Sequence, residues 1–306
     1  MFGRNNAWNP DEDIPNLDGR IILVTGGSSG LGLETVRQLA RHHPTRIYVA
    51  GRSQERGETA IRMVKDTVTT TTDLRFLPMD LASFQSVKSA VASFLQSETR
   101  LDLLVNNAGL VFAAPRLTSD GYEVQFGTNF MGHALLTRLL LPVLRATAST
   151  EADVRVVTVA SAAEAHAGKT TYAFDRYRTT MAAESTHARH CLSKLALVHF
   201  AAAAAQRYPD VRFVTVHPGA VRTTVGKDWH VGALFLLFIR TWILLFAAPV
   251  QDGALNQLWA SASPDAVSGE FYHPVGVPGK GSPRSRDAAL RERLWSWTDK
   301  ELQQHL

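Results

Sequence analysis

The chain has 306 residues, 45% of them hydrophobic and 20% charged, with 21 glycines and 13 prolines. This is ordinary globular composition, rich enough in apolar residues for a large core, and it excludes disordered, collagen-like and coiled-coil proteins. The 32 Lys and Arg against 28 Asp and Glu leave a net charge of +4 without a long basic run, so nucleic acid is not an expected partner.

Residues 1–18 are polar and read as an N-terminal extension with no secretory core. The single cysteine, Cys191, rules out an intrachain disulfide or a cysteine zinc cluster and suits a reducing, cytoplasmic setting. Short apolar runs then alternate with helix-patterned segments. Lengths, β-branched content and flanking Gly or polar residues predict strands over 20–25, 46–50, 74–78, 101–105, 154–160 and 211–217. Helices are predicted over 31–42, 54–69, 84–96, 119–146 and 187–207. That cadence implies right-handed crossovers and a doubly wound parallel sheet, an α/β fold of the Rossmann type forming one domain across 1–306.

Two stretches depart from the cadence. The four threonines at 69–72 read as a solvated helix end or loop. Residues 231–250 are 20 residues with one charge, Arg240, and form the most apolar part of the chain. They read as a pocket wall within a lid region at 225–262, as a membrane-surface segment, or as a span. A central Arg, at about 2.5–3.5 kcal/mol on insertion scales, weighs against the span.

The first predicted strand runs into Thr25-Gly26-Gly27-Ser28-Ser29-Gly30-Leu31-Gly32. Glycine is needed where a backbone turns sharply, approaches a pyrophosphate, or packs helix on strand. The free amides of the following helix N-terminus then face the phosphates. Gly26, Ser28, Ser29, Gly30, Leu31 and Gly32 are therefore candidate cofactor-binding residues. After the second strand stand Arg52 and Ser53 rather than an acidic residue, which suits a 2′-phosphate and hence NADP(H).

With these features in order, the chain resembles the short-chain dehydrogenase/reductase family, in particular its retinol-dehydrogenase-like branch and reductases of fungal secondary metabolism. TGGSSGLG is similar to the family's glycine motif. Asp80-Leu81 resembles the pair that contacts adenine, and Asn106-Asn107-Ala108-Gly109 the motif that backs the cofactor. Asn129 and Ser161 fall where the family carries its catalytic Asn and Ser. The run from His217 through Pro218, Gly219 and Val221 to Thr223 resembles the segment that holds the nicotinamide carboxamide. The resemblance implies hydride transfer, Lys194 both catalytic and ribose-binding, and a family-type homodimer.

One position departs from that pattern. The family's Tyr lies four residues before its Lys; four before Lys194 stands His190. Residues i and i+4 share a helix face, so both would still point into one site. Tyr172 and Tyr177 are the nearby phenols that could substitute. A neighbouring ammonium disfavours imidazolium, so His190 is expected to be neutral, a base rather than a proton donor. Three readings stay open: a redox enzyme using His190, a non-redox acid/base catalyst (isomerase, dehydratase or cyclase), or a binding protein. No metal is expected, because the other histidines lack ligand spacing. The tail, with Leu290, Leu294, Trp295 and Trp297, resembles the family's closing helix. It is expected to roof the pocket with 231–250, implying a lipophilic alcohol or ketone, such as a secondary-metabolite intermediate, as partner.

Overall fold

The computed structural model describes residues 8–150, 153–168, 171–222, 241 and 247–306. Seven strands, β1 (Ile21–Thr25), β2 (Arg46–Gly51), β3 (Asp73–Pro78), β4 (Leu103–Asn106), β5 (Arg155–Val159), β6 (Arg212–Val216) and β7 (Phe271–Tyr272), form one sheet. Every pairing is parallel, in the order β3-β2-β1-β4-β5-β6-β7. The order reverses between β1 and β4, which opens a crevice at the carboxyl ends of those strands.

The longer helices among the described residues are α1 (Gly30–Ala40), α2 (Gln54–Thr67), α3 (Phe84–Ser97), α4 (Gly132–Ala148), α5 (Thr186–Arg207), α6 (Val250–Ala262) and α7 (Ala288–Leu302). Alternate strand residues feed two separate cores, as the two-residue period requires. Ile22, Val24, Val49 and Val157 pack with α1 and α6 through Val36, Leu39 and Leu258. Ile21, Leu23, Leu104 and Val156 pack with α3, α4 and α5 through Phe94, Leu135 and Leu195. Ser53, Ser83, Ser185 and Asp287 cap α2, α3, α5 and α7 through side-chain oxygens, each worth about 1 kcal/mol.

The expected strands are present with ends shifted by one or two residues. The helix expected over 119–146 differs more. Gly121, at φ 79°, turns the chain, and Glu123 then caps a single turn at Val124–Phe126. A π-helical turn at Gly127–Met131 follows before α4 begins. The physical reason is crowding: a Cβ on Gly132 would sit 2.4 Å from the Leu81 carbonyl, so the wider turn and the missing side chain let α4 lie against that loop. The threonine run is a loop, but Thr72 is buried and Thr70 donates to the Ala40 carbonyl at 2.6 Å, closing the end of α1.

Thr223 and most of 231–250 lie outside the described residues. Within the expected lid region, α6 covers the sheet: Asn256 donates to the carbonyls of His217 and Tyr272, and Ala254, Leu258 and Trp259 are buried. The tail packs against the body of the fold. Trp295 stacks on Phe200 at 5.2 Å and Trp297 on Phe174 at 4.6 Å, over α5 and the loop before it. Among the described residues no helix is long and apolar enough to cross a membrane.

Candidate active site

The crevice holds a cavity of about 460 Å³ running from the turn after β1 to the start of α5. The turn after β1 forms one end. Gly26 has φ 65°, and a Cβ on Gly32 would lie 2.3 Å from the Gly26 carbonyl. Glycine at both positions brings α1 tight under the turn. Ser29, the N-cap of α1, makes no side-chain cap, so the first amides of the helix are left for a ligand. Asn107 donates from Nδ2 to the Thr25 carbonyl at 2.8 Å, and the Thr25 hydroxyl accepts from the amides of Asn107 and Ala108. These bonds lock the β1 and β4 turns together.

Gly26, Ser28, Ser29, Gly30, Leu31, Arg52, Asp80, Leu81, Asn107, Ala108 and Gly109 all line the cavity. Gly32 shapes it from behind. Sequence reasoning missed Arg56, which lines the same end as Arg52. It stands four residues further on, in the first turn of α2, and that spacing is the signal that could have found it.

At the other end the cavity meets Ser161, His190, Lys194, His217, Pro218, Gly219 and Val221. Lys194 is buried and donates from Nζ to the Val159 carbonyl at 2.8 Å; burial pulls its pKa down to about 8. The Ser161 hydroxyl oxygen accepts from the Ala163 amide at 3.1 Å, which leaves its proton for a ligand. His190 Nδ1 lies 3.3 Å from the Leu110 carbonyl. Burial first, then Lys194, push its pKa down to about 3, so the ring is neutral at pH 7. His217, its ring 4.4 Å from that of His273, is likewise pushed down to about 3 by burial. Leu110, Val111 and Phe112 make an apolar wall beside these groups, and no residue type in the sequence announced it.

Asn129 is not part of the cavity wall. It is fully buried and bonds to both polar groups of the Leu110 backbone and to the Ser193 hydroxyl. Tyr172 and Tyr177 are also buried away from the cavity. The Tyr172 hydroxyl pairs with His199 Nδ1 at 2.7 Å, and the Tyr177 oxygen accepts from the Tyr172 amide. Cys191 is buried and its thiol is pushed up to about 11 by burial, the opposite of a reactive thiolate. Next to His190, Arg189 donates to Glu123 Oε1 at 2.7 Å and to the Ala113 carbonyl at 2.9 Å, with both side chains sealed from solvent.

A doubly wound parallel sheet with a glycine turn and an uncapped helix end in its switch-point crevice defines a nucleotide-binding α/β protein. The family model for short chain dehydrogenase matches residues 20–232. A short-chain dehydrogenase/reductase of Armillaria gallica is 35% identical over 304 residues, 98% of this chain and 95% of the relative. Human retinol dehydrogenase 13 is 32% identical over 290 residues, covering 92% of this chain and 83% of its own. A crystal structure of a Mycobacterium paratuberculosis protein superposes with a TM-score of 0.72 at 27% identity, over 96% of each chain. The chain belongs to the short-chain dehydrogenase/reductase family of oxidoreductases.

Proposed function

We propose that this protein interconverts a lipophilic alcohol and its ketone with NADP(H), using His190 as the proton acceptor. The carrying observation is that the His190 imidazole lines the dinucleotide crevice together with Ser161 and Lys194, where burial and Lys194 hold its pKa down. The crevice fits such a cofactor: the α1 amides and glycine turn suit a pyrophosphate, Arg52 and Arg56 a 2′-phosphate, and Lys194 ribose hydroxyls. A nicotinamide held there would supply hydride acceptance in oxidation and hydride return in reduction. The apolar wall at Leu110, Val111 and Phe112, together with a relative named for retinol, supports a lipophilic substrate.

In oxidation, the Ser161 hydroxyl donates to the substrate oxygen while His190 Nε2 takes the hydroxyl proton as the C=O bond forms. The ring becomes imidazolium and later releases the proton to solvent. Burial and Lys194 keep the base unprotonated and also make its imidazolium costly, so it is always free and never strong. Reduction needs the imidazolium as donor. With a pKa of about 3, that is roughly one ring in ten thousand at pH 7. The scarce donor is expected to make reduction slow at pH 7.

A panel of lipophilic alcohols and ketones, including secondary-metabolite-like polycycles, tests this through nicotinamide absorbance. His190→Ala should slow oxidation by about 10²–10⁴-fold, and His190→Tyr should speed reduction above the native rate. Unchanged turnover in His190→Ala would remove the residue from the chemistry. A substrate converted with no absorbance change would favour the non-redox acid/base reading, which the poor donor at His190 also suits.

A further inference from the structure

We propose that Asn129 is a positioning residue that fixes the tautomer of His190 through the Leu110 peptide, an assignment that rests on reading His190 as the proton acceptor. One side-chain amide holds both backbone polar groups of Leu110, the N–H of the peptide before its Cα and the C=O of the peptide after it. The Leu110 N–H donates to Asn129 Oδ1 at 2.6 Å, and Asn129 Nδ2 donates to the Leu110 carbonyl at 3.0 Å. The amide cannot be reversed, because that would set donor against donor and acceptor against acceptor. The second Nδ2 hydrogen goes to Ser193 Oγ at 2.9 Å, whose own proton goes to the His190 carbonyl at 2.7 Å. Both Nδ2 hydrogens of Asn129 are thus spent inside the protein. The π-turn at Gly127–Met131 sets it opposite Leu110.

The Leu110 carbonyl has a second lone pair, and His190 Nδ1 lies on it at 3.3 Å. A carbonyl only accepts, so Nδ1 must carry the hydrogen, and the neutral ring keeps its lone pair on Nε2. Nε2 has no hydrogen-bond partner among the described residues, and it is not among the buried unpaired atoms, so it opens into the cavity that His190 lines. A free histidine side chain prefers its hydrogen on Nε2, the arrangement that would blunt the base. At 3.3 Å the contact is near the limit of a hydrogen bond, so a small drift of the carbonyl would release the ring. The neighbouring chain is not regular: Phe112, two residues on, sits at φ 55°. The bond that Asn129 donates to the carbonyl and the one that it accepts from the Leu110 N–H hold that carbonyl in place. The other groups acting on the ring are Lys194 and His187, both from α5, and neither replaces the Nδ1 partner.

Two-bond ¹H–¹⁵N spectra of the full chain labelled with ¹⁵N-histidine test this at pH 7, with His190 identified by the signal lost in His190→Gln. The native ring should show a protonated Nδ1 and a bare Nε2. In Asn129→Ser, which removes both Leu110 bonds, the hydrogen should move toward Nε2, with kcat for alcohol oxidation down about tenfold, one hydrogen bond's worth, and the cofactor KM unchanged. Ser193→Ala leaves both Leu110 bonds in place and should keep the native tautomer. A native ring with its hydrogen on Nε2 overturns the proposal without any variant. So does an Asn129→Ser protein with the native tautomer, or a Ser193→Ala protein that shifts as far. If the tautomer behaves as expected but His190→Ala turns over normally, the acid/base role fails and the positioning by Asn129 stands.

Discussion

The Lys194 ammonium donates to the carbonyl of Val159 at 2.8 Å and so ties α5 to the carboxyl end of β5. An ammonium has three hydrogens, and this is the one spent on the protein among the described residues. The others face a cavity that Lys194 lines. Lys194→Met keeps most of the stem volume and removes the donors. NADPH affinity, followed by cofactor fluorescence, should fall about 10- to 100-fold, the range for bonds to a charged group. Unchanged affinity would mean that the ammonium serves the sheet alone.

Arg52 and Arg56 are both exposed at the far end of the same cavity. An Arg pair suits a phosphate dianion, whereas a bare ribose offers it little. The double variant Arg52→Ala/Arg56→Ala should weaken NADPH about 10- to 100-fold and leave NADH within a factor of about two. Parallel losses for both nucleotides in calorimetric titration would refute a 2′-phosphate preference.

Tyr172 is one of the two phenols that could stand in for His190, yet its hydroxyl is spent on His199. His199 Nε2 donates to the Arg284 carbonyl at 3.0 Å, so its Nδ1 must accept from Tyr172. Tyr172→Phe leaves that nitrogen buried and unpaired, at a cost of about 1–3 kcal/mol. Urea unfolding should register the loss while turnover per folded molecule stays native. A collapse of turnover without destabilisation would return the catalytic role to this tyrosine.

Four histidines are held neutral by burial: His133 and His199 are pushed down to about 4, His190 and His217 to about 3. In the unfolded chain each titrates near 6.5. Between those values the unfolded state binds more protons, so stability rises with pH across the window. The contribution is whole above about 6.5 and is lost as pH falls toward 4. Each ring supplies on the order of 1 kcal/mol per pH unit. Urea unfolding at pH 5.5 should therefore give a stability several kcal/mol below that at pH 7, with a shallower slope in His199→Gln. A flat profile would contradict the burial of these rings.

What could be read from the chain was what depends on neighbours in sequence. The turn from Thr25 to Gly32, Ser161 at the end of β5, and the four-residue step from His190 to Lys194 each carry their chemistry locally. Asn129 was placed on a helix, but the π-turn that aims it at Leu110 follows from a contact between Gly132 and Leu81, some fifty residues apart. The apolar spacing of Trp295 and Trp297 fits a roof and a buttress equally well. Only the stacking partners, Phe200 and Phe174, show that it is a buttress. Leu110 to Phe112 form a wall solely because the chain bends back at Phe112.

The ion pair between Arg189 and Glu123 has a further effect on its neighbour in the chain. The guanidinium is pinned both to the carboxylate that caps the Val124 turn and to the Ala113 carbonyl. The opening turn of α5 is therefore riveted to a side-chain carboxylate and to a backbone carbonyl of two other segments, and it cannot roll about its axis without exposing a bare charge to the interior. His190 rides on that turn. Its ring is a fixed post rather than a swinging arm, and whatever exchanges a proton with it must be steered there by the walls of the crevice.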